Sequence, residues 1–225
     1  MKLWRFHDPH DCAFASAGGR GTWFQPGEGK PSERVEPLII EWEPSSNVIG
    51  DFTWAGLGIV ITQTVGQALL ARFREFELGP VEMIQNPRLR RPRRVTRRTK
   101  PRVWLPYEGP PVCELWVTAW ANADLERSTL RVRGTDPDTG GTLYVTDGVE
   151  SDEIHWDRDA LKASRTRTPR EPGRGVYVAE GELGSVDIFQ VRQVPGIIFC
   201  TDAVRDFVLE SKFTNVDFFE MGETF

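Results

Sequence analysis

An internal repeat is the feature that most constrains how this 225-residue chain can fold. The segments "GIVITQTVGQALLARFREFELGPVEM" (58–83) and "GIIFCTDAVRDFVLESKFTNVDFFEM" (196–221) follow one pattern. Each consists of a short apolar strand, a threonine, an amphipathic helix, a turn and a second strand that ends in Glu-Met. Asp51 and Asp187 stand at corresponding places upstream of the two segments. The chain is therefore predicted to contain two related strand–helix–strand units.

A threonine marks the predicted start of the helix in each segment. A Thr hydroxyl at the N-cap can accept a hydrogen bond from an early helical N–H group, so Thr62 and Thr201 are the expected N-caps. Apolar residues at i, i+4 and i+5 then give each helix one apolar stripe. These residues are Val65, Leu69 and Leu70 in the first helix and Val204, Val208 and Leu209 in the second.

Strands account for most of the remaining pattern. Apolar alternation and β-branched residues predict strands at 37–42, 58–61, 81–84, 112–120, 128–134, 142–148, 175–181 and 186–191. The turn-rich "TDPDTGG" (135–141) predicts a hairpin between two of them. The predicted fold class is α+β, with a predominantly antiparallel central sheet and two strand–helix–strand units, at 50–84 and 186–221, related by the internal repeat. We expect a single domain over residues 1–225, with an N-terminal lobe (1–87), a linker (88–102) and a C-terminal lobe (103–225).

The predicted linker is strongly basic. The run "RLRRPRRVTRRTKPR" (88–102) holds nine basic residues and no acidic one, and since the whole chain has a net charge of −5, the rest carries −14. Such a run can bind phosphates, which makes a nucleic-acid-associated protein one functional alternative. Two prolines prevent a regular basic helix, and no aromatic residue interrupts the run. These features favour a solvated linker and make nucleic acid the less favoured partner.

The N-terminal stretch "HDPHDC" (7–12) gathers potential metal ligands. The imidazoles of His7 and His10 and the thiol of Cys12 are donors that a metal such as zinc accepts. A metal-dependent enzyme built on His7 and His10 is therefore a further alternative. Against it, no second Cys or His pair follows downstream, and Asp-Pro and His-Asp are common in turns. The favoured interpretation assigns neither a metal nor a cofactor to the chain.

The sequence offers few residues for catalysis. It has three histidines, and the third, His155, lies in "DEIHWDRD", whose alternation predicts an exposed strand. There is no GxSxG motif for a nucleophilic serine, and "GGRG" (18–21) lacks the Lys and Ser or Thr of a phosphate-binding loop. We therefore expect a protein that is not an enzyme.

The repeat and its surroundings resemble the double-CxxCG motif proteins of myxobacteria, some of which are immunity proteins against contact-delivered toxins. The similarity is carried by residues 186–221, by residues 50–83 and by "PPVCELWVTAW" (110–120). The chain departs from the family at both CxxCG motifs. The turn-rich "TDPDTGG" and "FQPGEGKPSER" (24–34) stand where those motifs would lie, so no metal ligand is carried over from the family.

The resemblance implies a non-catalytic immunity factor that neutralises one cognate toxin domain by direct binding. The acidic balance outside the linker fits this role, because many toxins that attack nucleic acid are basic, and opposite charge speeds encounter. Asp202, Asp206 and Glu210, in the second repeat unit, are candidate partner-binding residues. Plain solubility is the alternative explanation of these charges.

The expected location is the cytoplasm. The start "MKLWRFHDPHDC" is charged from its second residue and lacks the apolar core of a secretory signal. Three widely spaced cysteines do not form a disulfide framework. No apolar run approaches the roughly 20 residues that cross a bilayer, so no membrane partner is expected.

Overall fold

The structure is a computed structural model that describes residues 1–9, 12, 14–17, 36–43, 48–55, 58–86, 88, 90–99, 102–135, 140–157 and 162–225. It is an α+β fold in which strands far outnumber helices. The N-terminal part forms β1 (Lys2–His7), β2 (Phe14–Ala17), β3 (Leu38–Glu43), β4 (Phe52–Ala55), β5 (Gly58–Thr62), α1 (Gln63–Leu70), β6 (Phe76–Gly79) and β7 (Val81–Gln85).

The part that follows the basic segment is longer. It forms β8 (Val112–Val117), β9 (Trp120–Ala121), β10 (Leu130–Thr135), β11 (Thr142–Thr146), β12 (Ser151–Asp157), β13 (Lys162–Thr168), β14 (Val176–Val178), α2 (Glu180–Leu183), β15 (Ile188–Val191), β16 (Ile198–Thr201), α3 (Asp202–Glu210) and β17 (Asp217–Thr224). The strands predicted from the sequence are present, including β12 around His155, but the one predicted at 112–120 is divided into β8 and β9, which lie in different sheets. The elements β1, β2, β4, β6, β13 and α2 complete the fold.

Two large mixed sheets hold most of these strands. One has the order β14-β17-β1-β16-β15-β9, and the other has the order β6-β8-β5-β4-β2-β3-β7. Four pairings between described strands are parallel: β14 with β17, β9 with β15, β2 with β4, and β3 with β7. Two mixed sheets thus replace the single antiparallel central sheet expected from the sequence. The expectation rested on hairpins, which fix the direction of consecutive strands only, and each parallel pair joins strands that are not consecutive.

The two sheets arrange five neighbouring strands alike. The order β17-β1-β16-β15-β9 has the same relative directions as the order β6-β8-β5-β4-β2. In each sheet a hairpin, β15–β16 or β4–β5, leads directly into α3 or α1. The strand beside that hairpin comes from the other part of the chain. β1 lies between β16 and β17, and β8 lies between β5 and β6, so the first strand of each predicted lobe pairs in the sheet of the other.

Both predicted helix starts are confirmed, but their threonines bind differently. Thr62 Oγ1 accepts a hydrogen bond from Val65 N at 3.5 Å, as an N-cap should, and donates one to Asp51 Oδ1 at 3.2 Å. Thr201 makes no side-chain bond to its helix. Its hydroxyl instead donates to Asp187 Oδ1 at 2.6 Å, which ties the end of β16 to the segment before β15. Thr201 is therefore the N-cap residue, as predicted, but the expected hydrogen bond from the helix to its hydroxyl is not formed.

The apolar faces of both helices pack into one core. Val65 and Leu69 of α1 and Val204 and Val208 of α3 are fully buried, in a cluster that includes residues of both large sheets. Leu70 and Leu209, expected in the same stripes, are instead 41% and 45% exposed. Each follows the last buried residue by one position, which turns it about 100° around the helix and away from the core.

Two hairpins form separate two-stranded sheets, β10–β11 and β12–β13. The hairpin predicted around 135–141 is confirmed by the pairing of Thr135 with Thr142, although 136–139 lie outside the described residues. His155 is exposed on β12, as its surroundings predicted. None of the helices in the described part of the chain has the length and apolar character needed to cross a membrane.

Candidate functional site

The structure places the N-terminal metal candidates only in part. His10 lies outside the described residues, and Cys12 is half-buried. His7 ends β1, where its Nε2 lies 3.4 Å from Asp152 Oδ2 and its ring stacks on Phe219 with a centroid distance of 3.9 Å. Within the described ranges, no group of three or more His, Cys, Asp or Glu side chains is arranged to hold a metal ion. His7 therefore contributes to attaching β1 to the β12–β13 hairpin.

Two arginines complete this attachment around Phe219. The guanidinium of Arg5 lies 4.9 Å and that of Arg167 lies 4.7 Å from the centre of the Phe219 ring. Arg167 also donates to Asp217 at 2.8 Å and to Glu150, both in neighbouring segments. Burial lowers the pKa of Arg5, although Asp152 and Glu150 oppose that shift. Cations and carboxylates thus alternate here, which fixes the hairpin on the sheet edge.

The three acidic candidates of the second repeat unit occupy different positions on α3. Asp202 is committed to the fold, because its carboxylate accepts bonds from Lys2 N at 3.0 Å and from Trp4 Nε1 at 2.8 Å. Asp206 is 56% exposed and pairs with Arg205 at 2.7 Å. Glu210 is exposed at the end of the helix. Asp206 and Glu210 lie four residues apart and so share one outward face of α3, whereas the carboxylate of Asp202 is already bonded to β1.

The basic run forms the wall of an open cleft. Arginine side chains and one indole surround a volume of about 810 Å³. The lining consists of Arg90, Arg91, Pro92, Val95, Arg98, Thr99, Arg102 and Trp104, and we call this site the arginine cleft. Val95 is 79% exposed, so an apolar side chain stands among the cations at the surface.

Hydrogen bonds hold the arginine cleft against β7. Arg91 donates to the Leu105 carbonyl, and its guanidinium lies 5.6 Å from the centre of the Trp104 ring. The Leu105 amide donates to Gln85 Oε1 at 3.3 Å, at the end of β7. A turn in which Thr99 N donates to the Thr96 carbonyl at 3.0 Å shapes the opposite wall. These bonds place the run beside the end of β7, and its described residues are nearly all exposed to solvent.

Three charges of the arginine cleft have no carboxylate partner among the described residues. Within the described part of the chain, no ion pair joins Arg90, Arg98 or Arg102 to a carboxylate. Several guanidinium groups around one cleft repel one another at separations below the roughly 8 Å Debye length of physiological salt. An anion would relieve that repulsion, and guanidinium groups bind phosphate and carboxylate oxygens in pairs.

Trp104 is the residue of this site that the sequence interpretation missed. It lies two residues beyond Arg102, the last of the run, so a search for aromatic residues inside the run overlooks it. The bond between Arg91 and the Leu105 carbonyl brings the indole beside the arginines. The arginine cleft and the outward face of α3 are thus the two candidate functional surfaces. A comparison of the sequence with models of known protein families and with curated proteins finds no match.

Proposed function

We propose that this protein is a non-catalytic immunity factor that acts in the cytoplasm and neutralises a cognate toxin domain by direct binding. The observation that carries the proposal is the outward face of α3, where Asp206 and Glu210 are exposed together with Leu209, which is 45% exposed. The resemblance to immunity proteins supports the same role. A cytoplasmic location is supported by Cys12, Cys113 and Cys200, which are all thiols and not disulfide partners.

The proposed partner surface is basic, with an apolar centre. Outside the basic run the chain carries a net charge of −14, so a basic domain is attracted to most of its surface. An exposed leucine beside two carboxylates offers a partner both an apolar and a polar contact, which protein interfaces combine. Charge complementarity of this kind raises the association rate and selects against acidic partners.

The face is also held rigid before any partner arrives. Val204 and Val208 anchor the inner side of α3 in the core, and Asp202 ties its first turn to β1. Arg205, next to Asp206, stacks its guanidinium 4.4 Å from the centre of the Trp4 ring. A surface that is ordered beforehand loses less conformational entropy on binding, which raises affinity.

Co-purification with the toxin domain encoded by the neighbouring gene tests this proposal. We expect a stoichiometric complex that protects cells from the toxin. Replacement of both carboxylates, Asp206→Lys with Glu210→Lys, is expected to weaken binding at least about tenfold, since it reverses two charges at the interface. Glu126→Lys, at an exposed position away from α3, is the matched control and should leave affinity unchanged.

The expected outcomes separate the role from the surface. If the toxin domain binds and the α3 variants bind as tightly as the control, the immunity role stands and its contact face lies elsewhere. If the purified domain neither binds nor is neutralised, the proposed function is wrong.

We also propose that the two helix-bearing units are copies of one duplicated unit whose first strands have exchanged sheets. The matching strand orders support this proposal, as do the paired contacts of Thr62 with Asp51 and of Thr201 with Asp187. Leu3 pairs with Thr201 just as Val112 pairs with Thr62, so β1 and β8 occupy the same register. An experimental structure in which α1 and α3 sit differently on their sheets would contradict the duplication.

A further inference from the structure

We propose that the arginine cleft binds a phosphorylated nucleoside, with guanidinium groups on the phosphates and Trp104 beneath the base. The ligand is either a free nucleotide or one nucleotide of a single strand, and both present the same chemistry. This binding does not depend on the proposed toxin contact, because the cleft and α3 share no residue.

The charge of the cleft favours a ligand with several phosphate oxygens. Four arginines line one cleft, and the described carboxylates pair with none of Arg90, Arg98 and Arg102. The rest of the molecule is acidic. The clustered positive charges of the cleft are therefore not needed to keep the protein soluble. Phosphate oxygens match the fork of a guanidinium and accept two hydrogen bonds from it at once. A polyphosphate or a strand backbone would therefore compensate several of these charges together.

An aromatic side chain forms part of the cleft wall. Trp104 lines the cleft, and the Arg91 guanidinium lies over its ring, 5.6 Å from the ring centre, so an aromatic surface and a cation meet in the cleft. Val95 is 79% exposed on the same lining, where an inorganic anion could not cover it. A planar base covers apolar and aromatic surface and leaves its phosphates to the arginines.

The volume of the arginine cleft and the groove beside it also favour a nucleotide. A cleft of about 810 Å³ lies in the range that encloses small ligands. A second groove of about 350 Å³ begins at Arg102 and Trp104 and runs along to Tyr107. Arg102 and Trp104 thus line two adjacent depressions. One nucleotide matches the larger of them in size, and the smaller lies where the next nucleotide of a single strand would be.

The test measures binding of ATP, of tripolyphosphate and of a labelled oligothymidylate of about ten nucleotides to the full chain at about 50 mM salt. The variant Arg90→Gln with Arg98→Gln is expected to weaken ATP binding at least about tenfold. Arg131→Gln with Arg133→Gln, at exposed positions on β10, removes the same charge outside the cleft and should change affinity little. Circular dichroism confirms that each variant is folded.

Trp104→Leu separates a nucleoside from a simple anion. It is expected to weaken ATP binding and to leave tripolyphosphate binding unchanged. If ATP and the oligonucleotide both fail to bind, or if the control variant weakens binding as much as the cleft variant, the proposal is overturned. Equal effects of Trp104→Leu on ATP and tripolyphosphate overturn the base contact.

The two sources of the ligand are distinguished by salt. Tighter binding of the oligonucleotide than of ATP, with a log affinity that falls steeply against log salt, identifies a single strand. Affinity for ATP equal to or above that for the oligonucleotide identifies a free nucleotide. Each result supports binding of a phosphorylated nucleoside and shows whether the ligand is a free nucleotide or part of a single strand.

Discussion

At the scale of single residues, Asp51 and Asp187 occupy corresponding places but contribute unequally to the stability of the fold. Asp51 accepts bonds from Thr62 Oγ1 at 3.2 Å, from Thr214 N at 2.8 Å and from Thr214 Oγ1 at 2.9 Å. Asp187 accepts one side-chain bond, from Thr201 at 2.6 Å. Asp51 therefore joins β5 to the turn after α3, and so connects the two helix-bearing units, whereas Asp187 acts within one of them.

We expect Asp51→Ala to lower the free energy of unfolding by about 2–3 kcal/mol and Asp187→Ala by about 1 kcal/mol. The difference follows from the number of donors that lose an ionised acceptor. Urea unfolding of both variants measures it, and each serves as the control for the other. A larger loss for Asp187→Ala would contradict the structural role assigned to Asp51.

Glu220 makes stability depend on pH. It receives bonds from Lys2 Nζ and from Arg170 Nε, both at 2.7 Å. Burial alone would raise the pKa of Glu220, but these two cations outweigh it and hold the pKa below its ordinary value. A lowered pKa in the folded state stabilises the protein above the pKa of the unfolded chain. That stabilisation is lost as the pH falls through the lowered pKa.

Urea unfolding between about pH 6 and pH 3 is therefore expected to show a falling free energy of unfolding that flattens in Glu220→Gln. The fall comes from protonation of the carboxylate, which the glutamine cannot undergo. Glu153→Gln, whose side chain is 76% exposed in the wild type, is the control. The same acid dependence in Glu220→Gln and in the wild type would show that other carboxylates carry it.

At the scale of elements, neighbouring leucines on α1 have opposite roles. Leu69 is fully buried and Leu70 is 41% exposed. We expect Leu69→Ala to destabilise the protein by about 3 kcal/mol, because it leaves a cavity in the core, and Leu70→Ala by less than about 0.5 kcal/mol. Thermal or urea unfolding of the two variants checks this. Equal losses would mean that α1 is rotated relative to the structure.

Local pattern explains which elements the sequence predicts. A threonine before an apolar stripe predicts α1 and α3, and alternation predicts strands such as β3 and β15. The strand β13, "KASRTRT", is not predicted from the sequence because it is almost entirely polar and is specified by pairing with β12. The arginine cleft is not predicted from the sequence for a similar reason. Its basic side is visible in the sequence, but Trp104 joins it only through a tertiary contact between Arg91 and Leu105.

At the scale of the whole molecule, β1 and β8 bind the two parts of the chain into one structure. Each lies between two strands of the sheet that the other part forms. Sequence pattern identified β8 as a strand but could not assign its sheet, because strand partners far apart in the chain are not fixed by local preference. The choice is made by packing, since Phe6 on β1 and Leu115 on β8 enter the same core cluster.

This arrangement predicts that the chain can be cut into two pieces that still assemble with each other. Residues 1–96 and 97–225, produced together as two chains, are expected to assemble into a stable heterodimer, because each piece supplies an inner strand of the other's sheet. Either piece alone should aggregate, since it leaves two strand edges unpaired. Size-exclusion chromatography and unfolding of the mixed and single pieces measure this. Two independently soluble, folded pieces would contradict the strand exchange.

Because of its position in the sheet, β1 is synthesised long before the strands with which it pairs. A ribosome makes β1 more than 190 residues before its partners β16 and β17. Until then its apolar residues Leu3 and Phe6 have no sheet to enter, and the slot between β5 and β6 stays open until β8 appears. A nascent chain of this kind exposes strand edges throughout translation. It therefore depends on chaperones that shield those edges until β17 has been made.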